Sequence, residues 1–114
     1  MTQYAALIYT QDTDWTQPSE ADTGKAYAEF SEKNAASIRG GAGLHQTSTA
    51  TTVRVKGGQG GDVVTTDGPF AEAREVLAGF YLLEATDLDE AVGIAAQIPG
   101  AWYGAVELRP VLEM

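Results

Sequence analysis

The stretch Gly79-Phe80-Tyr81-Leu82-Leu83-Glu84-Ala85 is apolar on both of the sides that an extended chain presents. Side chains alternate along a strand, so Phe80 and Leu82 point one way while Tyr81, Leu83 and Ala85 point the other. The run Tyr4-Ala5-Ala6-Leu7-Ile8-Tyr9 behaves in the same way, with Tyr4, Ala6 and Ile8 opposed to Ala5, Leu7 and Tyr9. A strand with one wet face should instead alternate apolar with polar residues. Both segments therefore belong in a sheet that is covered on two sides.

The flanking sequence supplies cover for one of those sides. Asp87 can cap a helix, with Glu90 three residues later, and Leu88, Ala91, Val92, Ala95 and Ile98 form an apolar stripe that Pro99-Gly100 stops. Nearer the N-terminus, Ser19 can cap a longer helix, with Asp22 three residues on. Tyr27, Phe30, Asn34 and Ile38 recur at helical spacing, which predicts a helix over Glu20–Arg39 ended by Gly40-Gly41. Gly40-Gly41-Ala42-Gly43 then closes a helix rather than opening one after a strand, so it is no dinucleotide fingerprint.

Leu44–Thr52 is polar and reads as an irregular strand. Thr52–Lys56 and Asp62–Thr66 flank Gly57-Gly58-Gln59-Gly60-Gly61 as a hairpin. That glycine run lacks the lysine and hydroxyl of a phosphate-cradling loop, so it is read as a connector. Ala71–Leu77 is a short helical or loop piece, and Ala105–Leu112 is the last strand.

The order of elements reduces to the ferredoxin-like split β-α-β arrangement, an α+β fold whose antiparallel sheet carries two helices on one face. A chain of 114 residues is one domain and has no spare element for the second face. At about 25 cal/mol per Å2, leaving those side chains wet forgoes several kcal/mol. A second copy, sheet against sheet, is the economical cover, so a homodimer is expected.

Composition narrows the function. Seven basic against sixteen acidic residues give a net charge of −9, which disfavours nucleic acid and large anionic substrates. There is no cysteine, hence neither a disulfide framework nor a thiol nucleophile. The N-terminus has no basic region before its short apolar run, and no window reaches the length of a membrane span. A cytoplasmic location without membrane contact is the expectation. One histidine and scattered carboxylates offer no metal constellation, and no cofactor motif is present.

Asp67-Gly68-Pro69-Phe70-Ala71-Glu72, followed by Gly79-Phe80-Tyr81-Leu82, Asp87-Leu88-Asp89-Glu90-Ala91, Ile98-Pro99 and Val106-Glu107-Leu108-Arg109-Pro110, resembles the YCII-related, or DGPF-domain, family from Tyr4 to Val111. The resemblance implies a ferredoxin-like fold of the dimeric α+β barrel superfamily. It also implies links in some members to extracytoplasmic-function sigma factors. More distant relatives carry a proposed histidine–aspartate pair, and one is a dehydrochlorinase of a chlorinated aromatic. The chain departs at Ala73-Arg74, where the family more often has threonine and lysine; arginine keeps the charge but changes its geometry.

Asp67 is the first candidate for chemistry. It shares a strand side with Val63 and Thr65, so apolar surroundings at Val63 would extend to Asp67 and fit it for acid–base work. The competing reading has its carboxylate bonding amides of its own Asp-Gly-Pro turn. His45, the one histidine, is the second candidate. Hairpin pairing sets Asp67 opposite Ala50 or Thr51 and leaves His45 roughly 20 Å away along a straight strand. A dyad therefore requires a bend or a second subunit.

Gly68 and Pro69 fix the backbone beside Asp67. Phe70 is read as a core plug, or as a platform for a ligand. Arg74 could clamp a carboxylate, or pair with Glu72, Glu75 or Glu84. Tyr81, with Tyr9 and Tyr103, could line a pocket with a polar tip or serve as a core or interface aromatic. Two functions remain open at this level. One is cofactor-free proton transfer on a small organic ligand, an isomerisation or elimination using Asp67 and His45. The other is a non-catalytic ligand-binding or regulatory module.

Overall fold

The computed structural model describes Met1–Met114. Six strands and three helices follow in the order β1 (Thr2–Thr10), α1 (Ala21–Lys33), β2 (Ile38–Gly43), β3 (Thr51–Lys56), β4 (Asp62–Asp67), β5 (Val76–Ala85), α2 (Leu88–Ala95), α3 (Gly100–Tyr103) and β6 (Ala105–Pro110), with short 3-10 turns at Pro18–Glu20 and Thr47–Thr49. The main sheet runs β2-β5-β1-β6, and β3 pairs with β4 in a sheet of their own. Every pairing is antiparallel, so β1 and β2, which flank β5 on either side, run in the same direction. This is the ferredoxin-like α+β arrangement with an added hairpin.

Alternation in the two central strands appears as the sequence dictates. Tyr4, Ala6, Ile8 and Thr10 are buried on one side of β1, with Leu83 and Ala85 beside them on β5. Phe30 of α1 and Ile94, Ala95 and Ile98 of α2 and its extension close over Ala6, Ile8 and Leu83 as the main core, while Ala91 of α2 packs with Tyr4 and Ala85 in a smaller cluster. Both helices therefore lie on one face. The other face shows Ala5, Leu7 and Tyr9 beside Phe80 and Leu82, all half-exposed. Arg39–Glu84 (2.7 Å) and Arg109–Glu107 (3.9 Å) border that face on β2–β5 and β6.

Several sequence expectations require correction. Helix α1 ends at Lys33, not Arg39, because Asn34 takes over the terminus. Its Nδ2 donates to the Phe30 carbonyl at 3.1 Å and to Gln97 Oε1 at 3.2 Å. Ile38 and Arg39 are thereby free to enter β2, and the Gly40–Gly43 run is an edge strand rather than a helix terminator. Ser19 does not cap α1; it lies inside the 3-10 turn, and the cap position falls on Glu20 without a side-chain bond. Leu44–Thr52 is a loop with a 3-10 turn, entering β3 only at Thr51.

On α2 the buried stripe is Ala91, Ile94 and Ala95, while Leu88 and Val92 face outward. Phe70, expected in the core, is 73% exposed, and the Arg54 guanidinium sits 4.8 Å from its ring centroid. The β3–β4 hairpin explains this, since it projects away from the core with Val53, Val55 and Val63 exposed. The chain's radius of gyration is 16.2 Å, whereas a compact fold of this length would have about 13 Å.

The Asp87 cap is as expected. Its carboxylate accepts from the Glu90 amide at 2.9 Å, while the Glu90 carboxylate accepts from the Thr86 amide at 3.2 Å. Replacing Asp87 by Ala should lower unfolding free energy by about 0.5–2 kcal/mol, the usual cost of a lost N-cap. Ser19→Ala should leave urea unfolding nearly unchanged, and an equal loss in both variants would contradict the assignment of the caps.

Candidate functional site

Glycine shapes a cleft between α1 and the β2–β5 edge of the sheet. On β2, Gly41 lies opposite Tyr81 and Gly43 opposite Gly79, so all three glycines fall on the side of the sheet that faces α1. Glu20 at the cap of α1, and Thr23, Gly24 and Tyr27 within it, lie three or four residues from one another across the turns, which puts them on one helical face. The C-terminal half of that face packs into the core through Phe30. The N-terminal half meets a strip of sheet in which Gly41, Gly43 and Gly79 carry no side chains. The gap is a cleft of about 520 Å3.

The glycines differ in what they tolerate. A Cβ on Gly41 would lie 2.5 Å from the Phe80 carbonyl oxygen, and one on Gly79 would lie 2.7 Å from that of Ala42. Backbone approach at the β2–β5 edge therefore forbids side chains there. A Cβ on Gly24 would meet nothing within 4 Å. Gly24 leaves empty space instead of relieving a clash.

Aromatic side chains form the walls. Tyr81 rests against Phe30, with ring centroids 5.0 Å apart at 60°, and its hydroxyl meets Ser31 Oγ at 3.3 Å. Tyr27 lines the same wall from α1, and Trp15 comes from the loop after β1. Burial pushes the Tyr27 phenol well above the usual tyrosine range, with the nearby Tyr103 and Tyr81 phenols adding to the effect. Tyr27 thus stays a neutral hydrogen-bond donor, not a base. Burial also raises the Tyr103 phenol, against the pull of hydrogen bonds with Tyr27 and Thr23. Tyr103 belongs to a smaller adjoining cleft of about 380 Å3, which shares Trp15, Glu20 and Thr23 with the first.

The mouth is built by two loops held together through Asp12. Its carboxylate accepts from the Thr47 amide at 3.1 Å and from the Thr47 hydroxyl. This tie brings the loop bearing His45 against the loop bearing Asp14 and Trp15. Asp14 accepts from Thr16 Oγ1 at 2.5 Å, Gln17 Nε2 at 2.9 Å and the Thr16 amide at 3.0 Å. Those bonds, led by Thr16, hold its carboxyl below the usual carboxylate value, with a small further contribution from His45.

His45 and Tyr81 therefore line one cleft, whereas Asp67, Gly68, Pro69, Phe70 and Arg74 do not. Asp67 ends β4 opposite Thr51 and is exposed. Gly68 is bonded into the hairpin through its amide to Ala50 (2.7 Å) and its carbonyl to Thr52 Oγ1 (2.9 Å). Val63 is 68% exposed, so the apolar surroundings that would extend to Asp67 are absent within one subunit. Arg74 is exposed and makes no ion pair with Glu72, Glu75 or Glu84, the last being held by Arg39. Of the three tyrosines considered, Tyr81 lines the large cleft, Tyr103 the small one and Tyr9 neither. Trp15, Glu20 and Tyr27 were not singled out from sequence as site residues. A glycine inside the helical run of α1 was the available signal.

Replacing Gly24 by Ala should raise unfolding free energy by about 0.5–1 kcal/mol, because alanine is the better helix former and the added methyl has room. Gly41→Ala should instead cost roughly 1–3 kcal/mol through overpacking of the β2–β5 edge. Urea unfolding of both variants checks the contrast; stabilisation by both would show that the cleft floor is not closed by backbone contact.

A family model for the YCII-related domain matches residues 2–114. An uncharacterised protein of Rhizobium meliloti (strain 1021) is 31% identical over 115 residues, covering 95% of this chain and 90% of that protein. No helix is long and apolar enough to cross a membrane. The chain belongs to the YCII-related domain family.

Proposed function

We propose that this YCII-related protein binds a small, flat organic molecule in the glycine-floored cleft and moves a proton on it, with His45 as the acid–base group at the mouth. The observation that carries the reading is the convergence of Tyr27, Tyr81, Trp15 and His45 on one space of about 520 Å3. Pockets of roughly 300–1,000 Å3, mostly apolar with a few placed polar groups, are the usual form of small-ligand sites. Imidazole titrates near neutrality and suits proton transfer without a cofactor. Tyr27, kept protonated by burial, adds no charge to the cleft wall.

The acid–base role expected of Asp67 passes to His45 in this proposal, because the hairpin holds Asp67 outside the cleft of its own subunit. The protein acts as a pair. Two open sheet faces meet, and the charged residues bordering that face, Arg39 and Arg109 against Glu84 and Glu107, cancel. A chain of net charge −9 can therefore approach its copy there with least repulsion. The exposed hairpin favours a second reading, a non-catalytic ligand-binding or regulatory module whose projecting strands meet a further protein such as a sigma factor.

The test uses amide NMR with small aromatic carbonyl compounds, followed by incubation of any ligand in D2O. Binding should shift Gly41, Gly43, Gly79 and Tyr81, and Gly24→Leu should abolish those shifts by filling the space. Wild-type protein should exchange an acidic C–H of the bound ligand for deuterium, and His45→Gln should stop exchange while binding persists. Binding without exchange would contradict the enzymatic half and favour the module. Shifts unaffected by Gly24→Leu would overturn the cleft itself.

A further inference from the structure

The charge around the cleft has one sign. Glu20 lines it from the cap position before α1, half-buried, and takes part in neither of the chain's two ion pairs. No lysine or arginine lines the cleft. Lys25, the nearest basic residue in sequence on α1, follows Gly24 by one position and so points to another side of the helix. Asp14 stands on the adjoining loop, and its hydrogen bonds hold it firmly ionised. His45 is the single basic side chain that lines the cleft.

Three electron-rich rings, Trp15, Tyr27 and Tyr81, share this space with the Glu20 carboxylate. A ring face attracts a cation through its quadrupole, most strongly when water is excluded, and several rings around one ammonium form a cage. A buried cation also needs an anionic partner to offset its lost hydration, and an unpaired carboxylate supplies one. An anionic ligand would meet Glu20 without any countercharge.

We infer that the cleft takes an organic ammonium, with the charged nitrogen against Glu20 and the rings of Trp15 and Tyr27, and an apolar body over Gly41, Gly43 and Gly79. The inference rests on the cleft being the ligand site. It adds the sign of the ligand's charge and the end of the cleft at which that charge lies.

Three probes of one skeleton separate the two ideas: 2-phenylethylamine, 2-phenylethanol and phenylacetate, titrated calorimetrically into the full chain at about pH 8, where free imidazole is neutral. The amine should bind about tenfold or more tighter than the alcohol, with phenylacetate weakest. Added salt should weaken the amine and leave the alcohol unchanged. Glu20→Gln should remove the preference for the amine while the alcohol keeps its affinity. Equal binding of amine and alcohol, or tightest binding of phenylacetate, overturns the assignment of charge and leaves the cleft standing. Failure of all three to bind at millimolar concentration overturns both.

Discussion

Two helices cover one face of the four-stranded sheet, yet its central strands are apolar on both. The buried side, with Ala6, Ile8 and Leu83 under Phe30, Ile94 and Ile98, holds the subunit together. The other side leaves Leu7, Tyr9, Phe80 and Leu82 partly in water, bordered by ion pairs whose charges cancel. No element of the chain turns back over that face. Even the one unit that could have done so, the β3–β4 hairpin, pairs only with itself and extends outward. A sheet of this composition is complete only when something apolar lies against it, and a second copy offers a face of the same shape and chemistry.

The covered side contains a second constraint, expressed by missing side chains rather than present ones. Helix α1 packs closely over its second half, where Phe30 and Asn34 engage the core and α2. Over its first half it faces Gly41, Gly43 and Gly79. At Gly41 and Gly79 the strands approach too closely for any side chain, and Gly24 puts no side chain into the gap from the helix. The cleft is thus a consequence of how an edge strand pairs with its neighbour. The loops that frame its mouth are fastened by Asp12 to Thr47, which carries His45 to the entrance.

Much of the fold was legible because alternation and capping are local signals. The two-faced patterns of Tyr4–Tyr9 and Gly79–Ala85, the hairpin across Gly57–Gly61 and the Asp87 cap each depend on neighbouring residues, and each stands in the structure. The end of α1 was misread because Ile38 fits a helical spacing as well as a strand. Pairing of β2 with β5, together with the bonds of Asn34 to the Phe30 carbonyl and to Gln97, decides between them. Leu88 and Val92 were placed on the inner stripe by spacing alone, yet Ile94 won that position when the helix met β5. The cleft was the least legible feature, since it arises from glycines on three separate elements. Asp67 drew notice through its turn motif, and nothing local reveals that the hairpin carries it away from the core. His45 and Tyr81 were named as candidates for other reasons and are brought to one place by pairing between β2 and β5.

Sedimentation equilibrium of the purified chain at micromolar concentration, beside a Leu7→Asp variant, tests the pairing of open faces most directly. Leu7 lies at the middle of that face and outside the helix-covered core, so a charge there should divide the pair without unfolding the subunit. The wild type should sediment at twice the chain mass and the variant at the single-chain mass, with unchanged circular dichroism. A wild type that stays a single folded subunit, or a variant that remains paired, would contradict the account.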